Sequence, residues 1–280
     1  MKPKLLSRAF SNLRRICRFN RLRDVAITAL LLVLFVALLP TSAWPQTQWI
    51  KHNNNPVLTP TSGGFEEEGL FEPVVIFDGA RYHMWYDGTS QSETSFATGY
   101  ATSSDGITWT KYAGNPVLQG GPAGSWDDQG GFPSTVLFDG TSFKMWYTGS
   151  DGNRFRFGYA TSSDGIQWTK HANNPILDVG TLGTWDSDIL FLPDVHFDGT
   201  TYHMWYDGFP GPGIGHATSS DGVRWGKDPT NPIFIGAPRQ SWERQGVGHP
   251  RVLFDGQKYR LWYIGVDEQI NIPLAMPILR

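Results

Sequence analysis

The sequence predicts an all-β protein built from repeated four-stranded antiparallel units. Three observations carry that expectation. The tripeptide Phe-Asp-Gly recurs at Phe77–Gly79, Phe138–Gly140, Phe197–Gly199 and Phe254–Gly256, in steps of 61, 59 and 57 residues. The chain holds 32 glycines and 19 prolines, which favours turns over long helices. No stretch beyond residue 44 keeps apolar residues at helical spacing. Four short strands per unit, repeated at this period, describe the blades of a β-propeller.

Each unit reads as the same series. The first strand ends at Phe-Asp-Gly, and Asp-Gly between apolar runs favours a hairpin because both turn positions tolerate positive φ. The second carries Trp85-Tyr86, Trp146-Tyr147, Trp205-Tyr206 and Trp262-Tyr263, and aromatic residues suit a pleated, half-buried surface. The third leads into Ala-Thr-Ser-Ser-Asp-Gly at Ala101–Gly106, Ala160–Gly165 and Ala217–Gly222. The fourth begins at Trp109 and runs to about Leu118, with copies from Trp168 and Trp225. Trp49–Lys51 and Asn55–Leu58 match a fourth strand yet precede the first unit, while the last unit stops near its third strand, around 270–275. The N-terminal strand is therefore expected to complete the last blade and protect its edge. Four repeats are countable, and a five-bladed ring lacking one blade would read the same.

The 280 residues are 40% hydrophobic and 14% aromatic, which excludes disorder. Residues 1–43 hold eight of the 23 Lys and Arg and one acid, Asp24, leaving the remainder at a net charge of −10. Such a body is a poor partner for nucleic acid, whose phosphates need clustered positive charge. Val25–Leu39 is an apolar run broken only by Thr28, preceded by a basic stretch and followed by Pro40, Thr41, Ser42 and Ala43. That pattern is a secretory signal, or an uncleaved anchor that would be the only membrane contact. The division is thus 1–43 for the targeting segment and 44–280 for the propeller, with export to the periplasm, cell surface or medium. Cys17 is the single cysteine, so the exported part has no disulfide, thiolate metal ligand or thiol nucleophile.

The series Tyr-x-Met-Trp-Tyr-x-Gly, Gly-Tyr-Ala-Thr-Ser-Ser-Asp-Gly-Ile-x-Trp and Asn-Pro-Val-Leu resembles the five-bladed propeller superfamily of arabinanases, β-xylosidases, levansucrases and invertases. Glycoside hydrolase families 43, 32 and 130 are the nearest kin, over roughly residues 49–280. The resemblance implies a carbohydrate in the central funnel, cleaved or phosphorolysed by carboxylates on the innermost strands. No cofactor and no metal ligand set is read from the sequence.

Repetition separates scaffold from site. Residues copied in every unit build walls; residues that break the copy are candidates for chemistry. Glu66, Asp127, Asp186 and Glu243 all follow an aromatic and read as scaffold. The inner-strand prolines Pro73, Pro133, Pro193 and Pro250 are flanked by residues that differ. Positions on either side of a proline are two apart and so share a strand face. On that face stand Glu72, Ser134, Asp194, His249 and Arg251. The resemblance matches Glu72 to the first-blade acid before proline and Asp194 to the acid after proline. The third family carboxylate, two residues before a proline, has no match: Phe71, Gly131, Phe191 and Gly248 hold those places. Glu68, Asp128 and Asp188 lie upstream as substitutes.

Glycoside cleavage needs one carboxyl to protonate the leaving oxygen and another to activate water or attack. Glu72 and Asp194 are the expected catalytic pair, in either assignment, with Ser134, His249, Arg251 and His216 as substrate-binding residues. His216 is included because it replaces Tyr100 and Tyr159 on the third strand. Two further readings stand beside this one: Glu72 and Asp194 tie blades together through Arg251 or His249, or the propeller binds glycans or proteins without turnover.

Overall fold

The computed structural model describes residues 50–90, 93–236 and 242–266. Every regular element among them is a strand. The first blade is β1 (Gly69–Phe77), β2 (Tyr82–Ser90), β3 (Glu93–Ser103) and β4 (Thr110–Lys111), paired in that order. The second is β5 (Gly131–Phe138), β6 (Phe143–Ser150), β7 (Phe155–Ser162) and β8 (Thr169–Lys170). The third is β9 (Ile189–Phe197), β10 (Tyr202–Phe209), β11 (Gly213–Ser219) and β12 (Gly226–Lys227), with β13 (Phe234–Ile235) also on β11. The fourth contributes β14 (Gly246–Phe254) and β15 (Tyr259–Val266). All pairing within blades is antiparallel. A single parallel bridge, Phe155 to Ile189, links the second blade to the third. The fold is thus the expected propeller-like, all-β array.

The second strand of a blade is sandwiched between its neighbours, so it is buried along most of its length on both faces. Trp85 and Trp146 are fully buried there. Burying an apolar side chain of that bulk contributes on the order of 3 kcal/mol. Each also pins the next blade: the Trp85 indole N–H donates to Gly165 O at 2.8 Å, and that of Trp146 to Gly222 O at 2.8 Å. The copied acids are scaffold. Asp127 pairs with Lys170 and Asp186 with Lys227, each at 2.6 Å, and Glu66 pairs with Lys111. Glu243 accepts from Tyr263 Oη at 2.7 Å.

Two expectations need correction. The fourth strand does not run from Trp109 to Leu118; it is two residues long. Asn115 takes over the pairing of the third strand instead. Its Oδ1 accepts from Tyr100 N–H, and its Nδ2 donates to Tyr100 O and to Tyr86 Oη. Asn174 and Asn231 repeat this clamp in the next two blades. Nor does the N-terminal segment complete the last blade among the described residues. Residues 50–58 carry no strand, and Leu58 packs on Met84, Tyr86 and Ala101 of the first blade. The targeting segment, residues 1–43, and the third strand expected around 270–275 lie outside the described residues.

Candidate functional site

The inner strands do not alternate regularly. Strand register slips between Phe71 and Val74 in β1 and between Gly248 and Arg251 in β14. At the slip, Glu72, Leu192 and His249 take left-handed backbone angles, with φ of 45°, 47° and 53°. Bulky residues occupy this region only when their surroundings enforce it. Such a bulge turns the side chain of the extra residue away from the alternating pattern. Proline cannot adopt positive φ, so in the second blade Pro133 sits at this position without the left-handed angle. Register follows the tryptophans rather than the prolines: Val74, Thr135, Asp194 and Arg251 lie opposite Trp85, Trp146, Trp205 and Trp262. The proline-based equivalence of Ser134 with Asp194 and Arg251 is therefore off by one residue.

This slip redistributes the expected site. Asp194 is engaged at the junction of the third and fourth blades. Its Oδ2 accepts the Val252 N–H of the fourth blade at 2.5 Å. Thr135, its counterpart, accepts the Val195 N–H of the third blade at 3.1 Å and donates to Pro193 O at 2.9 Å. The same brace thus recurs at successive blade junctions, and Asp194 belongs to it. Burial holds the Asp194 carboxyl above the usual range, against the Val252 hydrogen bond and the Arg251 charge. Ser134 is buried and bonds Thr148 Oγ1 at 3.1 Å. His216 lies on β11, where its Nε2 meets His203 Nδ1 at 3.2 Å and its Nδ1 faces Asp228 at 3.7 Å. Burial and then the His203 charge push its pKa down. Asp128 and Asp188 accept from Gly124 N–H and Ser187 Oγ within their own loops.

Glu72, His249 and Arg251 do meet. The Arg251 guanidinium lies 3.7 Å from Glu72, joining the inner strands of the first and fourth blades, and both side chains are partly exposed. Two carboxyls that the sequence reading passed over complete the cluster. Asp207 on β10 is buried, and its two oxygens each lie 2.8 Å from the His249 backbone N–H. Gly248 permits that approach, since a Cβ there would stand 2.8 Å from Asp207 Oδ2. Burial pushes the Asp207 carboxyl up to about 8, with Glu72 adding to the shift and His249 and Arg251 opposing it. Asp87 on β2 is its equivalent. Burial, then Glu72, raises it to about 8, and its Oδ1 is buried with no hydrogen-bond partner among the described residues. Burial also lowers the His249 imidazole, which favours its neutral form.

The signal for Asp87 and Asp207 was present. After Trp-Tyr the four units read Asp87, Thr148, Asp207 and Ile264, a broken copy of the kind sought on the inner strand. What the arrangement offers is three carboxyls, two of them raised to about 8 chiefly by burial, beside one guanidinium and an imidazole whose pKa burial lowers. Among the described residues no group of three or more His, Cys, Asp or Glu is placed to hold a metal ion.

Comparison with known proteins gives the fold a setting. No family profile matches the chain. An uncharacterized protein of Mycobacterium tuberculosis (strain CDC 1551 / Oshkosh) is 31% identical over 155 residues, 53% of this chain and 50% of that protein. A β-1,2-mannobiose phosphorylase of Thermoanaerobacter sp. (strain X514) is 29% identical over 136 residues, 42% of this chain and 44% of that enzyme. The chain thus spans about half the length of the curated relatives it matches. Among solved structures, a member of the GH130 family of mannoside phosphorylases, a family described as containing hydrolases that target β-1,2 mannosidic linkages in Candida mannan, superposes with a TM-score of 0.61. The two are 20% identical over 77% of this chain and 68% of that one. A glycosyl hydrolase from Bacteroides ovatus gives a TM-score of 0.59 at 20% identity, over 77% and 69%. The propeller fold of these glycoside-active proteins is the fold of this chain.

Proposed function

We propose that the chain is a carbohydrate-active enzyme that cleaves a glycosidic bond at the cluster of Glu72, Asp87, Asp207, His249 and Arg251. The observation that supports this most is the convergence of repeat-breaking charged residues from the first, third and fourth blades beside the Glu72–Arg251 pair. Glu72 is the carboxyl open to a ligand, and it exchanges the proton of the glycosidic oxygen. Asp87 and Asp207 stand behind it, kept neutral by burial so that they add no negative charge, and donate hydrogen bonds to sugar hydroxyls or to Glu72. Arg251 offers a planar fork that suits an oxyanion.

The likeness to a mannobiose phosphorylase brings inorganic phosphate forward as the attacking group. An anion taken up by Arg251 releases Glu72 from its ion pair to carry the proton. A phosphate oxygen then bonds the anomeric carbon, the bond from that carbon to the glycosidic oxygen breaks, and the departing oxygen takes the Glu72 proton. With water in place of phosphate the bond broken is the same, and the attacking water gives up one proton to an ionised carboxylate, Asp87 or Asp207, which takes the part of the base. The basic, apolar and small-residue pattern of residues 1–43 supports action outside the cytoplasm.

The test is incubation of the full chain with β-1,2-mannobiose and a panel of arabino-, xylo-, fructo- and manno-oligosaccharides, with and without inorganic phosphate. Sugar 1-phosphate formed only with phosphate supports phosphorolysis; free sugar in both arms supports hydrolysis. Saccharide binding with no product in either arm would instead favour a non-catalytic binding propeller, a reading motivated by the third family carboxylate, whose places are held by Phe71, Gly131, Phe191 and Gly248.

A further inference from the structure

The junction of the first and second blades frames a cavity of about 570 Å³ at the Phe-Asp-Gly end of the inner strands. It lies away from the Glu72 cluster. Asp78, on its wall, follows Glu72 by six residues along the first inner strand, roughly 20 Å at a strand rise of about 3.3 Å per residue. Part of the wall is scaffold: the Asp78–His83 pair recurs as Asp139–Lys144, Asp198–His203 and Asp255–Arg260. The rest breaks the copy. At the second junction Lys144 Nζ crosses to Tyr202 Oη at 3.3 Å. At the first, the corresponding residues are His83 and Phe143; His83 Nδ1 turns to Tyr100 Oη of its own blade, at 2.6 Å, and Phe143 has no hydroxyl to offer. Arg81 stands where the other units carry Ser142, Thr201 and Lys258. It is exposed, and its guanidinium makes no hydrogen bond or ion pair among the described residues. Asp164 Oδ1 accepts from Ser162 Oγ and from the N–H groups of Ile166 and Gln167, while its Oδ2 has no partner among the described residues. The second oxygens of its counterparts, Asp105 and Asp221, face Thr108 Oγ1 and Arg224. Tyr112, 37% exposed, replaces His171 and Asp228 of the next blades.

We propose that this cavity binds a neutral saccharide, as a second site separate from the Glu72 cluster. The donor and acceptor chemistry of the lining selects that class. Arg81 only donates, an ionised Asp164 only accepts, and the hydroxyls of Thr102 and Thr110 do both. Sugar hydroxyls each donate and accept, so one ligand satisfies all of these groups at once. An anion would meet the Asp78 and Asp164 carboxylates, and a cation the Arg81 and Lys111 charges. The Tyr112 ring adds an aromatic surface beside the polar groups, which suits a ring that is apolar on its face and polar at its rim. The cavity falls within the roughly 300–1,000 Å³ of small-molecule sites. The site stands on its own lining and needs no cleavage at Glu72.

Saturation-transfer NMR and calorimetry test this on the full chain, held in a detergent that has no sugar headgroup. The neutral probes are methyl α-mannopyranoside, β-1,2-mannobiose and xylobiose; methyl glucuronoside and glucosamine are the anionic and cationic ones. Binding is read in Glu72→Gln/Arg251→Ala, so that the central cluster does not supply the signal. At least one neutral probe should bind there, more tightly than either charged one. Adding Arg81→Met or Tyr112→Ala should weaken it about tenfold or more, the loss expected for a hydrogen bond to a charged group. Both side chains are exposed, and an unchanged melting temperature verifies the fold. In the otherwise wild-type chain Arg81→Met should remove the same binding event and leave turnover unchanged. No binding of any neutral probe, binding that the Glu72 and Arg251 substitutions abolish, binding that Arg81→Met and Tyr112→Ala leave intact, or tighter binding of a charged probe would each overturn the proposal. Binding at this site in a chain that cleaves nothing would sustain it while removing cleavage at Glu72, so the two readings fail separately.

Discussion

Asp207 brings both carboxylate oxygens to within 2.8 Å of the backbone N–H of His249, a residue held at φ 53° on the neighbouring blade. A buried acid thus fixes the strained bulge that presents the imidazole and, two residues on, the Arg251 guanidinium. The pairing explains why an acid is placed where burial raises its pKa so far.

That placement has a pH signature. In the unfolded chain Asp titrates near 3.9, roughly four units below the folded Asp207 and Asp87. Between those values the folded state binds more protons, so stability is full at low pH and falls as pH rises toward about 8. The slope is at most about 1.4 kcal/mol per pH unit for each group. Asp207→Asn keeps an acceptor for His249 N–H and removes the titration. Melting curves from pH 5 to 8.5 should show a flatter profile for this variant and a higher melting temperature than wild type at the alkaline end.

Asp194 serves as a brace, so its neutral isostere should be mild. Asp194→Asn retains an oxygen for Val252 N–H and should leave turnover within about threefold. Asp194→Ala orphans a buried N–H and should cost about 1–3 kcal/mol in urea unfolding. Thr135→Val, which removes the equivalent brace, should cost a similar amount. Loss of turnover in Asp194→Asn with stability intact would return Asp194 to the reacting centre.

His216 has its pKa lowered in the fold, so the unfolded chain takes up the proton first on acidification. Its contribution is present above about 6.5, the unfolded value, and is lost as pH falls through the lower folded value. His216→Tyr restores the residue of the other blades. It should flatten the acid limb of the stability profile and leave saccharide turnover unchanged.

The Asn clamps tie the third strand to the loop that follows it. Asn174→Ala removes three hydrogen bonds, to Tyr159 N, Tyr159 O and Tyr147 Oη. Thermal unfolding should register a loss of about 1–3 kcal/mol. Asn174→Asp keeps one acceptor and loses both donors, and should fall between alanine and wild type.

The fold was legible because its determinants are local and copied: Asp-Gly turns, Trp-Tyr strands and repeated acids each declare their role four times or nearly so. The candidate cluster was legible only in part. Glu72, His249 and Arg251 broke the copy on the expected strand and came together. Asp194 broke the copy too, yet does the work of Thr135, because a hydroxyl and a carboxylate can accept the same backbone N–H. The alternation rule failed at the bulge, where a left-handed residue resets which side chains share a face, and residue spacing alone does not reveal that slip. Asp87 and Asp207 were overlooked because they sit beside the Trp-Tyr pair, in a strand that read as wall.

The most direct test of the central claim is the turnover of Glu72→Gln on a saccharide that the wild-type chain cleaves, with and without phosphate. The account predicts a fall in kcat of about 10²–10⁴, the usual contribution of a positioned acid–base group, with KM changed little. Wild-type kcat in a folded Glu72→Gln chain would contradict it.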